Sequence, residues 1–485
     1  MRRVVVAGGG QVAILTAIGI RRALPRSDVI VIGLPPDRAA FADFAATALP
    51  FTNRLHDRLG VEEADLVLKC GASHRLITRY RDWGGGGQAG LLPYGGGQDP
   101  ALQTRFAQEW GGGPRNVSRE RPAGSLSEVL AEAGRFAPPP PDMETPLSRV
   151  EYGLRWNPPA YRDLLIGIAQ QLGIAHVPGP IAALEPDDAG GIASVAIEGS
   201  ERIAADLFVD CSGSGAALAA AMPGYARIDW TSELPVRRVL VGKPGPAVLA
   251  LEDRMSLVPE GWRSELNGRD GVQVSLAMAD GGAEDAAVNA LGAEPIAGIA
   301  LSPVRIRDAW TGNVIALGDA AAQFEPLGFL NLDLAHRQLD LLLEMLPGRA
   351  ILPPERAEYN RRAGLMMDAV RDTLALHYAA PGARAVFGEQ AAVPDAVRIA
   401  LDQFERRGRL PFREEAPFLK QEEMELLTAL GFMPGRAPQH GAMDPREVEM
   451  ALARVQRDAK EALDYAPDYR QWMAHVLKVS ATPTG

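Results

Sequence analysis

The sequence predicts an α/β chain built on a doubly wound, largely parallel sheet. Three observations carry this expectation. Residues 4–7 are a fully apolar run that meets Gly8-Gly9-Gly10 and then a helical pattern; residues 29–32 are a second apolar run ending at Gly33; residues 313–317 repeat the theme far downstream, entering Gly318-Asp319.

The elements follow in order. The run 4–7 fits a strand buried on both faces, and Ile14, Leu15, Ala17 and Ile18 recur at helical spacing behind the glycine turn. The run 29–32 closes a strand, turn, helix, strand unit, the opening of a doubly wound sheet. From Trp83 to Pro141 the texture changes: eleven of the 51 glycines fall between Gly84 and Gly113 and four prolines occupy 138–141, which reads as a long surface excursion or lid. Residues 161–172 read as a helix, 192–197 and 203–211 as strands, 313–317 as a buried strand, and 332–346 as a leucine-rich helix. Beyond about residue 350 the pattern is helical. Asp444-Pro445-Arg446-Glu447 is a capping sequence ahead of Val448, Leu452, Val455, Ala459 and Leu463 on one face, a stripe that serves packing.

Composition narrows the function. The 485 residues carry 50 Lys and Arg against 61 Asp and Glu, a formal charge of −11, the wrong sign for tracking a phosphate backbone or an anionic membrane. Nucleic acid and membrane partners are therefore not expected. Cys70 and Cys211 form no CxxC pair, so neither a disulfide framework nor a metal site is expected, and a reducing cytoplasm is the simplest compartment. Basic Arg2 and Arg3 before an apolar stretch imitate a signal peptide, but three glycines interrupt the stretch and no cleavage site follows cleanly.

The turn Gly8-Gly9-Gly10-Gln11-Val12-Ala13 is a GxGxxA pattern after a strand and at the start of a helix. Gly8 makes the tight turn, Gly10 lets a pyrophosphate approach the backbone, Ala13 keeps helix and strand close, and the helix amides around Gln11 face the anion. The acid that would take the ribose hydroxyls is absent: Gly33 stands there, and Asp37 follows only after Pro35-Pro36. Gly318 and Asp319 form a second nucleotide-compatible turn, read as preceding a helix, with Asp319 able to accept hydrogen bonds from a polyol. One long dinucleotide explains both turns better than chance does.

Residues 6–17, Asp206-Leu207-Phe208-Val209-Asp210-Cys211-Ser212-Gly213, the run Trp310-Thr311-Gly312-Asn313-Val314-Ile315-Ala316-Leu317-Gly318 leading to Glu325-Pro326-Leu327, and Leu376-His377-Tyr378 stand in an order and spacing that resembles the flavin-dependent tryptophan halogenases. The resemblance covers nearly the whole chain. It implies a Rossmann-like FAD-binding fold of the aromatic-hydroxylase type, with a substrate lobe and a helical C-terminal subdomain. On that reading 1–83 and 150–350 form the FAD-binding domain with interleaved substrate-lobe segments, 84–149 the excursion, and 351–485 the helical subdomain. It implies Gly8, Gly10, Gln11, Ala13, Gly318 and Asp319 as FAD-binding residues, a separate flavin reductase as partner, an aromatic or peptide-borne substrate, and often a homodimer. In that family a flavin hydroperoxide oxidises halide, and hypohalous acid reaches a lysine beside the substrate.

The residues of that chemistry depart from the family pattern. Arg75, in Ala72-Ser73-His74-Arg75-Leu76, stands at the lysine position, and a guanidinium is a poor haloamine former or acid. Arg75 is thus either an anion anchor or a charge paired with a nearby carboxylate such as Asp82. The Glu-Pro-Leu-Glu-Ser-Thr-Gly element reads Glu325-Pro326-Leu327-Gly328-Phe329-Leu330-Asn331, without its second glutamate or its Thr-Gly. The Trp-x-Trp-x-Ile-Pro signature survives only as Gly261-Trp262-Arg263-Ser264-Glu265-Leu266, and the loop over the flavin reads Ala45-Ala46-Thr47-Ala48-Leu49-Pro50, without its glutamate. Gly33 and Ala46 weigh against tight FAD binding. His74 and His336 are bases by residue type only. The sequence leaves an atypical FAD-dependent oxidoreductase of this superfamily, an oxygenase or oxidase with halogenation as a lesser version; a family member without turnover that serves as a binding or scaffolding partner; and, as a weaker third reading, a non-flavin dinucleotide enzyme, since Gly33 also removes the usual NAD discriminator.

Overall fold

The structure is a computed structural model and describes residues 2–87, 89–95, 125–200, 202–348, 350–388, 391–435 and 445–481. Its organising sheet has six strands in the order Trp310–Thr311, Val314–Ala316, Leu207–Asp210, Arg3–Ala7, Asp28–Gly33, Ala175–Pro178. All neighbours are parallel except the first pair. Val4, Val5, Val6 and Ala7 are wholly buried, as a strand covered on both faces requires. Helix Gln11–Ala23 packs on this sheet, and helix Leu330–Glu344 packs in turn against it.

Register fixes where the turns meet. Ala7 pairs with Asp210, and Asp210 with Ala316, so the strands end level and release three turns side by side: Gly8-Gly9-Gly10, Cys211-Ser212-Gly213-Ser214 and Leu317-Gly318-Asp319. In a doubly wound sheet the carboxyl edge is where ligands bind.

A second sheet of seven strands runs in the order Pro295–Ala300, Arg238–Gly242, Gln273–Met278, Gly261–Leu266, Glu252–Val258, Ile77–Arg81, Ala89–Pro93. It is antiparallel except where Glu252–Val258 meets Ile77–Arg81. Thus Ile77–Arg81, the end of the lysine-like segment, and the residue 261–266 signature, far apart in sequence, share this sheet, while Ser73–Arg75 pairs with Gly153–Arg155 in a separate three-stranded sheet. Of the Gly/Pro-rich excursion, Ala89–Pro93 is a strand of this sheet and Leu126–Ala133 a helix capped by Ser125; residues 96–124 lie outside the described residues. One hydrophobic core joins both sheets to the C-terminal helices.

The expected elements recur with shifted ends. The helix read at 161–172 begins earlier, at Pro158, because Asn157 caps it and Pro158 suits the first turn. The strand read over 203–211 is two, Ile203–Ala204 and Leu207–Asp210, in different sheets. Helix Pro445–Tyr465 starts at the expected proline, while Asp444 lies outside the described residues. Gly318-Asp319 does not open a helix: a single 3₁₀ turn, Gly318–Ala320, leads into the short strand Ala322–Gln323, and the next α-helix waits until Leu330.

Candidate active site

Each glycine of the first turn meets another part of the chain. A Cβ on Gly8, whose φ is +152°, would lie 2.5 Å from the Cys211 carbonyl oxygen and 2.8 Å from the Ala13 Cβ, so this residue must be glycine and Ala13 must be small. A Cβ on Gly9 would lie 1.9 Å from the Leu34 carbonyl oxygen. A Cβ on Gly10 would lie 2.0–2.2 Å from all three carboxyl atoms of Asp43, and an Asp43 Oδ1 accepts the Val12 amide at 3.0 Å. Residues 34–46 therefore lie across the turn. Gln11 is buried and donates its amide to the carbonyls of Ala42 (2.6 Å) and Ala45 (3.0 Å).

The second turn holds the same segment from the other side. Asp319 is buried, and its Oδ2 accepts the Ala42 amide at 2.9 Å while Oδ1 has no partner. Burial and the nearby Asp43 carboxylate push its carboxyl well above the usual range. The third turn takes Asp37, whose Oδ2 accepts from the Ser214 amide at 3.0 Å and from the Ser214 hydroxyl. Asp37 is thus committed to Ser214 rather than standing in for the absent ribose acceptor. Gly33 has its own cause: a Cβ there would sit 2.4 Å from the His176 ring of the neighbouring strand, so the imidazole occupies the space of a larger side chain.

Beside these turns lies a cavity of about 420 Å³ between the 38–47 segment, the seven-stranded sheet and the Pro326–Leu332 stretch. Its walls are mainly apolar, with Phe41, Val239, Leu266 and Phe329 among them. Asn331 lines it, is buried, donates its amide to the Phe324 carbonyl, and keeps Oδ1 without a partner. Ser264 lines it too, at the place of the signature's second tryptophan, on the same face of the strand as Trp262, which is buried in the core. Trp262 Nε1 donates to the Tyr378 hydroxyl at 3.2 Å, and that hydroxyl donates to Glu325 Oε1 at 2.6 Å. Burial pushes the Glu325 carboxyl up to about 7, against the lowering effect of the Tyr378 bond.

Arg75 is 1 % exposed; both terminal nitrogens of its guanidinium are engaged, while Nε is buried without a partner. Its Nη1 donates to Asp253 Oδ2 at 2.9 Å and to the Tyr94 hydroxyl at 2.8 Å, and its Nη2 donates to the Ala48 carbonyl at 2.6 Å. The guanidinium carbon stands 4.3 Å from the centroid of the Phe329 ring. Asp253, also 1 % exposed, takes the Asn267 amide on its other oxygen. The expected partner Asp82 is displaced by Asp253: Asp82 is exposed at the end of its strand, while register sets Asp253 opposite Thr78 on the buried face. Gly328 and Phe329 are both left-handed (φ +66° and +64°), a conformation that costs a phenylalanine strain and swings its ring under the guanidinium.

Neither histidine serves as a free base. His74 bonds Glu63 (2.9 Å) and Tyr469 (3.0 Å) inside a ring of aromatic side chains, and His336 bonds Thr52 (2.8 Å) with burial holding its imidazole well below the ordinary value. Among the described residues no cluster of His, Cys, Asp and Glu is placed to hold a metal, and no helix is long and apolar enough to cross a membrane.

The family model for tryptophan halogenase matches residues 3–445. The chain belongs to the tryptophan halogenase family. Relatives in this family include the tryptophan 6-halogenase SttH of Streptomyces toxytricini, 22% identical across 97% of this chain and 98% of its own, and the tryptophan 7-halogenase KtzQ of Kutzneria, 25% identical across 78% and 76%. The fold matches that of Xcc4156, a flavin-dependent halogenase from Xanthomonas campestris, with a TM-score of 0.87 at 22% identity over 98% of both chains. BrvH, a flavin-dependent halogenase from Brevundimonas, matches at 0.85 over 98% of this chain and 99% of its own.

Within this tryptophan halogenase family member, sequence reasoning missed two residues that define the site. Asp253 carries a readable signal, since Glu252–Val258 alternates in burial and sets an acid in the row of Met255 and Leu257, which demands a buried cation. Asp43 carries none, because its role depends on how a segment without regular structure folds back on a turn thirty residues earlier.

Proposed function

We propose that this chain is an atypical FAD-dependent oxidoreductase of the tryptophan halogenase superfamily that works with reduced flavin and oxygen on an aromatic or peptide-borne group and does not halogenate. The observation that carries the proposal is the pairing of Arg75 with Asp253. A guanidinium whose terminal nitrogens are held by a carboxylate, a hydroxyl and a carbonyl, away from solvent, acts as a structural ion pair rather than a relay for an oxidised halogen. Gly328, where the family has a glutamate, leaves no second member of the catalytic pair.

In this conformation the residues around Gly10 do not fit a pyrophosphate, because the Asp43 carboxyl fills the space the glycine leaves. Flavin binding on this reading requires residues 34–46 to leave the turn. The adjoining cavity suits a flat aromatic ring by its apolar walls, and Asn331 Oδ1 offers a buried acceptor for an N–H group. Bound reduced FAD would supply the activation of oxygen; the chain supplies exclusion of water through Leu266 and Phe329, which lie outside the segment that moves. A flavin reductase as partner, a homodimer and a cytoplasmic setting belong to the same proposal.

The filled turn specifically favours a second reading, a family member that persists as a binding or scaffolding partner. Titration of the purified protein with oxidised and with dithionite-reduced FAD separates the two. Saturable binding of the reduced form at micromolar concentration is expected. Absence of binding to either form at high micromolar flavin would remove the oxidoreductase reading and leave the scaffold.

A further inference from the structure

We infer that Asp43 is an intramolecular competitor for the pyrophosphate of a dinucleotide and sets how tightly this chain binds one. The inference rests on the reading that the Gly8–Gly10 turn accepts such a ligand, and it assigns the limiting step to one side chain.

Helix Gln11–Ala23 begins with an unusual deficit. Its N-cap is Gly10, which has no side chain to offer, and its first turn carries no acid. Its amides therefore face the carboxyl edge of the sheet with a partial positive charge and no local acceptor. Asp43 supplies the acceptor from a distance of some thirty residues, placing Oδ1 on the Val12 amide and the whole carboxyl group over Gly10. A carboxylate and a phosphate oxygen satisfy such a site by the same physics, and they cannot both occupy it.

The rest of the segment is fastened to the other groups of the carboxyl edge. Ala42 gives its amide to Asp319 and its carbonyl to Gln11, and Asp37 takes Ser214. Asp37, Asp43 and Asp319 thus crowd one end of the sheet: Asp37 raises the cost of ionising Asp43, and both raise that of Asp319. Against them stands Arg162 of helix Pro158–Gln171, with the buried Cys211 thiol behind the turn. Burial, opposed by the Val12 amide and Arg162, pushes the Asp43 carboxyl up to about 7. The closed segment is therefore held by hydrogen bonds and weakened by like charge, an arrangement that an incoming ligand can displace. The apparent dissociation constant rises by the reciprocal of the open fraction.

The test compares the wild-type chain with Asp43→Ala and Asp43→Asn, titrated with FAD and with ADP, alongside hydrogen exchange of residues 34–46. Removing the carboxylate is expected to tighten FAD and ADP by about tenfold, the worth of one charge-assisted cap bond, and to speed exchange in the segment. Asp43→Asn keeps the shape and an acceptor oxygen and should fall between the other two; it also guards against a misfolded alanine variant. Equal FAD affinity in all three proteins would overturn the inference and leave the flavin reading intact. No binding of FAD or ADP by any of them would overturn both.

Discussion

Replacing Arg75 by alanine is expected to destabilise the fold by about 3–5 kcal/mol, the cost of removing one partner of a buried ion pair. The reason is the fate of Asp253. Its carboxyl is 1 % exposed, burial raises its cost of ionisation, and Arg75 and Arg155 oppose that rise. Without Arg75 the carboxyl is driven towards its protonated form, so the penalty should grow as pH rises from about 5 to about 8. Arg75→Lys should recover only part of the loss, since an ammonium cannot reach Asp253, Tyr94 and the Ala48 carbonyl with the same fork. Urea unfolding at the two pH values measures all of this. A loss below about 1 kcal/mol in the alanine variant, typical of an exposed charge, would return Arg75 to the role of a free anion anchor.

Glu325→Gln is expected to stabilise the protein by about 3 kcal/mol near pH 8 and to leave it little changed near pH 4.5. Glu325 is wholly buried, bonded to Tyr378 through Oε1, with Oε2 unpartnered. Its carboxyl is pushed from 4.5 up to about 7. The sign follows from which state holds the proton. Below the ordinary value both folded and unfolded chains are protonated and the group costs nothing. Between that value and about 7 the unfolded chain ionises while the folded chain keeps its proton, so stability falls with pH and then levels off. Glutamine still accepts the Tyr378 hydroxyl and has nothing to titrate, so its unfolding free energy should lose this part of the pH slope. Identical slopes for the two proteins would mean that Glu325 is solvated and ionised in the fold.

Much of the fold was legible because apolar runs and glycine turns are local. The strands around 4–7, 29–32 and 313–317 needed only their own residues to declare themselves, and parallel pairing follows once they alternate with helices. Gly8 and Ala13 were legible for the same reason, since the close approach that demands them lies within six residues and one neighbouring strand. The site resisted where side chains meet across distance. Asp82 is near Arg75 in sequence, yet the partner is Asp253, brought in by a parallel pairing between strands 175 residues apart. Asp319 was misplaced at a helix start because a glycine after a strand is ambiguous between a helix and a single 3₁₀ turn. The filling of the Gly10 turn depended on residues 34–46, whose path no periodicity specifies.

On the proposed reading, this family member has exchanged the charge chemistry of halogenation for the buried Arg75–Asp253 pair. The most direct measurement supplies the protein with reduced FAD, oxygen, bromide and a small aromatic probe such as indole, and analyses the products by mass. No protein-dependent brominated product is predicted, for the wild type or for Arg75→Lys. Bromoindole formed by the wild-type protein and lost in Arg75→Ala variants that remain folded would contradict the account.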